Sequence, residues 1–203
     1  MGDASGRIEE QLGAPALYVN GAVGDVSPRQ RGWDGVAATG KLLAAAVLAL
    51  WPRIPPDGDQ RLTAGGETAA LPAPALELHN CLGRWIPRGT RLGLRSALPA
   101  TAEIAAVGIG RGAWVTIPGE LDTQLGLEIK AAPRTGFART FVVGLANGYQ
   151  GYLLAAEHFR TASYISCGSL YGERGGEIVR DAAIGALRGL SERRAPRPVR
   201  PAR

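Results

Sequence analysis

Only two cysteines, Cys81 and Cys167, occur among 203 residues. That number cannot build a multi-bridge secreted scaffold or a zinc knuckle, and the sequence leaves open whether the two pair. Long apolar runs are missing as well. The longest, Leu42 to Leu50, is half of the roughly 18 residues expected of a membrane span, and reads as part of a helix. The opening residues MGDASGRIEEQLG contain no basic segment leading into an apolar one, so no signal peptide is legible. They read as the interior of a longer chain, a short helix from Ile8 to Leu12 arriving at a strand. Positive charge is also scarce over most of the length. The formal net charge is +5, but Ser191 to Arg203 holds five arginines and one glutamate, which leaves +1 for residues 1–190. The basicity belongs to a Pro/Arg tail, and no nucleic-acid partner is expected.

What is present is an ordinary globular composition. Hydrophobic residues make up 45% and charged residues 20%, enough for one soluble core. Twenty-nine glycines and 14 prolines predict many turns. Ala16 to Asn20 reads as a short strand running into the glycine loop Gly21 to Pro28. Asp34 is placed to cap a helix ending near Leu50, before Trp51-Pro52. Leu62 to Leu71 and Ala75 to Leu78 are candidate strands. Ala102 to Ile109 and Ala113 to Ile117 flank Gly110-Arg111-Gly112 as a hairpin. A helix from Leu121 to Ala131, a strand from Thr140 to Leu145 and a helix from Glu177 to Leu190 follow. Strands alternating with helices predict an α/β fold, a layered mixed sheet with flanking helices. Residues 191–203 carry too little apolar surface to order themselves, and a disordered tail is expected there.

Three loops after strands carry the residues able to do chemistry. In Asn20 to Pro28, the Ser27 hydroxyl follows two residues after the Asp25 carboxylate, a pattern that also makes an ordinary turn. Glu120 ends Ile117-Pro-Gly-Glu, where a first-turn helix acid is equally at home. Gly144 to Tyr152 ends in Tyr149 and Tyr152, which as an isolated pair read as packing residues. Gly35 to Lys41 spells a phosphate loop, but Leu42 stands where Ser or Thr must bind magnesium, and the stretch falls inside a predicted helix.

Taken in order, Gly24-Asp-Val-Ser-Pro28, Pro118-Gly-Glu120, Gly144-Leu-Ala-Asn-Gly-Tyr-Gln-Gly-Tyr152 and Tyr164-Ile-Ser-Cys-Gly-Ser-Leu-Tyr-Gly172 resemble the neutral/alkaline ceramidase family. The resemblance spans residues 1–190 and implies the C-terminal portion of a zinc-dependent catalytic domain that hydrolyses the N-acyl bond of ceramide or a related N-acyl sphingoid lipid. It implies that Glu120 and Tyr152 are zinc ligands, with Tyr149 as the alternative tyrosine. Ser27 matches the serine that acts as nucleophile or binds substrate hydroxyls. Asp25 and Tyr149 fall where substrate is expected. The family is secreted or membrane-associated, so contact with a membrane surface is a further expectation. Departures are specific. The family's two zinc histidines lie far upstream of GDxSP, whereas none of the 24 residues before Asp25 is histidine. His158 and Phe159 replace part of the family's TPEEY segment, and Arg29 replaces the asparagine after Ser-Pro. The family's C-terminal β-sandwich has no counterpart. The expectation is a fragment lacking the upstream ligands and inactive by itself, against a non-catalytic remnant with no metal site.

Overall fold

The computed structural model describes residues 2–55, 58–94, 98–132 and 135–194, which form two compact units. The first unit comprises residues 2–19 and 26–58. Helix α1 (Gly2–Leu12) buries Ala4 and Ile8, and helix α2 (Gly32–Leu50) buries Gly35, Gly40 and Ala44. Small residues on α2 let α1 come close: a Cβ on Gly40 would meet Asp3 Oδ2 at 2.1 Å. Asp3 is held there by Arg7, one turn on, at 2.6 Å. A 3₁₀ turn over Trp51–Arg53 closes α2 where Pro52 stops it. An 18-residue window within Gly32–Arg53 averages a hydropathy of 1.5, long and apolar enough to cross a membrane by length and composition alone. Sequence had suggested no such span, because Lys41 interrupts the apolar run. The strand expected at Ala16 to Asn20 does not form. Leu17 is 95% exposed, and the backbone bond from Gly144 N to Asn20 O at 2.9 Å, at the end of the segment, does not extend into a ladder.

Among the described residues, the second unit comprises residues 20–25 and those from 59 to 194. Strand β1 (Leu62–Ala70) is followed by β2 (Ala75–Glu77), helix α3 (Leu78–Leu82) and β3 (Arg91–Gly93). The predicted hairpin is present as β4 (Thr101–Ile109) and β5 (Gly112–Thr116), turning at Gly110, whose φ of +54° suits glycine. Next come β6 (Glu120–Leu121), α4 (Thr123–Ala131), β7 (Arg139–Val143), β8 (Tyr152–Leu153), α5 (Ala156–Phe159), α6 (Tyr164–Cys167) and α7 (Gly175–Arg194). The main sheet runs β1-β4-β5-β7, antiparallel except for the parallel β5–β7 pair, so it is a mixed sheet with α4 in the crossover. Two small sheets pair β2 with β3 and β6 with β8.

Alternation along β4 sends Ala102, Ile104 and Ala106 to one face. Helix α7 packs Val179, Ala183, Leu187 and Leu190 against that face, all fully buried. Each such Val or Leu contributes on the order of 1.5–3 kcal/mol by leaving water. The helix runs four residues beyond its expected end, because Arg194 pairs with Asp59 and stacks over Phe137. Residues 195–203 of the expected disordered tail lie outside the described residues. Cys81 of α3 and Cys167 of α6 form a disulfide across 86 residues of sequence.

Candidate functional site

Strand β5 delivers the chain to Ile117-Pro118-Gly119-Glu120, and β7 delivers it to the Gly144–Gly151 loop. These two segments are stitched together by backbone bonds. Ala146 N donates to Ile117 O at 3.0 Å, Gln150 N to Pro118 O at 2.7 Å and Leu145 N to Gly119 O at 3.1 Å, while Glu120 N donates to Gly151 O at 3.0 Å. Gly119 is required by this closeness, since a Cβ there would stand 2.7 Å from Gly151 O. The outcome is that Glu120 and Tyr152 face each other as register partners in the parallel β6–β8 pair. The Tyr149 hydroxyl donates to Glu120 Oε1 at 2.8 Å. Glu120, Tyr149 and Tyr152, 32 residues apart at the extremes, therefore form one cluster.

The electrostatics follow from that geometry. The hydrogen bond to Glu120, then burial, raises the Tyr149 pKa. Tyr152 is pushed up to about 12 by burial first and by the Glu120 charge second. Behind Tyr152 stands α6. The Tyr152 ring meets Tyr164 edge-on with centroids 5.9 Å apart, and Tyr152 N donates to Gly168 O at 3.2 Å. Gly168 has no room for a side chain, because its Cβ would lie 2.9 Å from the Tyr152 ring.

Two solved structures share this arrangement of chain. One is a neutral ceramidase from Pseudomonas aeruginosa, with a TM-score of 0.75 and 16% identity over 95% of this chain and 40% of that one. The other is a ceramidase complexed with C2, with a TM-score of 0.76 and 15% identity over 95% of this chain and 42% of that one. The fold is that of part of a neutral ceramidase. No protein-family model and no curated protein matches the chain by sequence. At such identities the likeness is one of fold, and it covers well under half the length of either ceramidase.

The remaining residues expected in a ceramidase-like site have separate settings. Asp25, in the second unit, accepts from Thr123 N at 2.8 Å and Thr123 Oγ1 at 2.6 Å. Burial would raise its pKa, but the two Thr123 donors outweigh it, and the net shift is downward. Gly24 makes this contact possible: its N donates to Leu121 O at 2.8 Å, and a Cβ would meet Glu120 O at 2.4 Å. Ser27 belongs to the first unit. There it lines a cavity of about 510 Å³ together with Gln30, Arg31, Val36, Thr39 and Leu43. The phosphate-loop lookalike Gly35 to Lys41 is a stretch of α2.

Sequence reasoning assigned nothing to Asp122, which is completely buried. Its Oδ1 caps α4 by accepting from Gln124 N at 3.0 Å. Its Oδ2 accepts from Ala155 N at 3.2 Å and from His158 Nδ1 at 2.6 Å. That hydrogen bond is the main reason the His158 pKa rises. One ligand atom each from Asp25, Asp122 and His158 lies within 4.8 Å of the others, a spacing that would admit a cation. The helix expected from Leu121 begins at Thr123 instead, with Leu121 in β6 and Asp122 as its cap. The histidine partner was not legible in the sequence.

Proposed function

We propose that this chain carries part of a zinc-dependent amidohydrolase site acting on the N-acyl bond of ceramide or a related N-acyl sphingoid lipid. The observation that carries the proposal is the Glu120–Tyr149–Tyr152 cluster, supported by the order of the motifs and by the ceramidase fold. A carboxylate and a phenol oxygen have the right chemistry for a hydrolytic zinc, which takes about three protein ligands and keeps a position open. Glu120 and Tyr152 fit as two of these. Zinc bound there would supply a Lewis acid that polarises the amide carbonyl.

The chain's own residues supply the following parts of such a site. Tyr149 holds one Glu120 oxygen through its hydroxyl and leaves the other available. Tyr152 keeps its phenolic proton at neutral pH unless a cation displaces it. Ser27, in the first unit, is the nucleophile or hydroxyl-binding serine that the motif order implies, and the apolar cavity it lines suits a hydrocarbon chain. Asp25, held by Thr123, presents its other carboxylate oxygen as an acceptor for substrate hydroxyls. Hydrolysis breaks the C–N bond, adds hydroxyl to the acyl carbon and delivers a proton to the leaving amine. The exposed Trp33, Leu42, Leu50 and Trp51 of the first unit offer apolar surface for contact with a lipid aggregate. The disulfide suits an oxidising compartment.

Two oxygen ligands leave zinc mostly hydrated, so the chain as given binds it far more weakly than a four-ligand structural site does. Zinc titration of the wild-type chain and of Glu120→Ala and Tyr152→Phe tests this, with a fluorescent N-acyl sphingosine assay alongside. Weak binding that both substitutions diminish further is expected, with little turnover. Equal binding by wild type and Glu120→Ala would refute the assignment and favour a remnant without a metal site.

A further inference from the structure

Within the Gly144–Tyr152 loop, three of the four residues from Leu145 to Gly148 have left-handed backbone. Leu145 has φ of 58°, Asn147 of 66° and Gly148 of 135°. Leucine rarely adopts this region, because its Cβ crowds the following carbonyl, whereas asparagine tolerates it better and glycine best. Among the described residues, Leu145 and Asn147 are the only non-glycine positions with positive φ, and both lie in this one loop. Strained backbone of this kind persists only where the surroundings hold it in place.

Those surroundings are on one side of the loop. Backbone bonds from Leu145, Ala146 and Gln150 hold three consecutive carbonyls, Gly119, Ile117 and Pro118. Two side chains add anchors, one of them Gln150, whose Nε2 donates to Thr101 O at 2.9 Å. Asn147 Nδ2 donates to Thr116 Oγ1 at 2.8 Å. Thr116 Oγ1 also accepts from Ala105 N at 2.8 Å, which ties the last residue of β5 to β4. The left-handed turn is thus fastened to the main sheet at the residue just before Ile117-Pro-Gly-Glu. Two residues after Asn147, the Tyr149 hydroxyl reaches Glu120.

We propose that Asn147 is the positioning residue of the site, setting Tyr149 against the Glu120 carboxylate through its left-handed backbone and its bond to Thr116. The proposal rests on the reading of Glu120 as a metal ligand, but its two physical elements can be tested apart from it. Asn147→Gly keeps the backbone freedom and loses the tether. Asn147→Ala loses both. Asn147→Asp keeps tolerance of the left-handed region and can accept a hydrogen bond from the Thr116 hydroxyl.

The experiment uses the full chain with ¹³C-labelled tyrosine, the Tyr149 signal being identified by its loss in Tyr149→Phe. Amide exchange at Gln150 is followed in parallel, with Val179 in α7 as the internal reference for global stability. In Asn147→Gly the Tyr149 ring signal moves away from its wild-type, carboxylate-bonded position. Gln150 exchanges about tenfold faster while Val179 does not change. Zinc affinity falls by about tenfold, the scale of losing an outer partner of a metal ligand. Asn147→Ala shows at least as much, and Asn147→Asp recovers most of each signal. An unchanged Tyr149 signal and unchanged Gln150 exchange in Asn147→Gly would overturn the proposal, even if zinc binding still depends on Glu120. Conversely, if both readouts move but zinc binds Glu120→Ala as well as wild type, the positioning role stands and the metal assignment falls. Should Asn147→Ala fail to fold, the glycine and aspartate variants decide.

Discussion

Reducing the Cys81–Cys167 bond cuts the covalent link between two helices that are too short to persist alone. Helix α3 has five residues and α6 has four, against the 12–15 at which isolated helices become even marginal. The bond closes a loop of 86 residues. Chain-entropy arguments for a loop of that length give a stabilisation of about 4.6 kcal/mol at 25 °C, with measured values more often about 2–4. Against a total of about 5–15 kcal/mol for a typical domain, that is a large share. The consequence reaches the candidate site, because Gly168 follows Cys167 directly, and its carbonyl and Cα form the wall on which Tyr152 rests. The assay is urea unfolding of the oxidised protein, the reduced protein and a Cys81→Ser/Cys167→Ser double variant. A loss of 2–4 kcal/mol at a slope of about 1–3 kcal/mol per molar predicts a midpoint lowered by about 1 M or more. Tyr152 amide exchange should quicken ahead of Val179. Coincident midpoints, or two titratable thiols in the unreduced protein, would refute the reasoning.

Other outcomes follow from single contacts. Gly24→Ala should destabilise by about 1–3 kcal/mol, since the new methyl collides with the Glu120 and Leu121 backbone, and thermal unfolding would show it. A Gly2→Ala control, with no atom within 4 Å of the added Cβ, should leave the melting temperature almost unchanged. His158 should titrate above 6.5 by NMR, and Asp122→Asn should bring its midpoint down. Because the folded-state pKa is the higher one, protonated His158 stabilises the fold. That contribution is complete below about pH 6.5 and disappears as pH rises through the folded value. A wild-type midpoint at or below 6.5 would contradict the Asp122 bond.

The local pattern of the chain determined much of this protein by itself. The hairpin at Gly110 and helix α2 are readable because their periodicity and turn residues are short-range properties. The family resemblance carried by GDVSP, PGE and GLxNxYxxY singled out Ser27, Glu120 and Tyr152, with Tyr149 as the alternative tyrosine. Tertiary structure decided what depends on long-range approach. The Ala16 to Asn20 segment has strand-like residues but no strand, because pairing is set by a neighbour and not by propensity. Whether Cys81 and Cys167 pair depends on α3 and α6 meeting across 86 residues. Asp122 fell inside the expected helix Leu121 to Ala131, yet one of its oxygens caps α4 and the other serves His158, 36 positions away. Which tyrosine bonds Glu120 was likewise undecidable from spacing. The left-handed turn at Asn147 brings the Tyr149 hydroxyl to the carboxylate, while Tyr152 is held beside it by strand register.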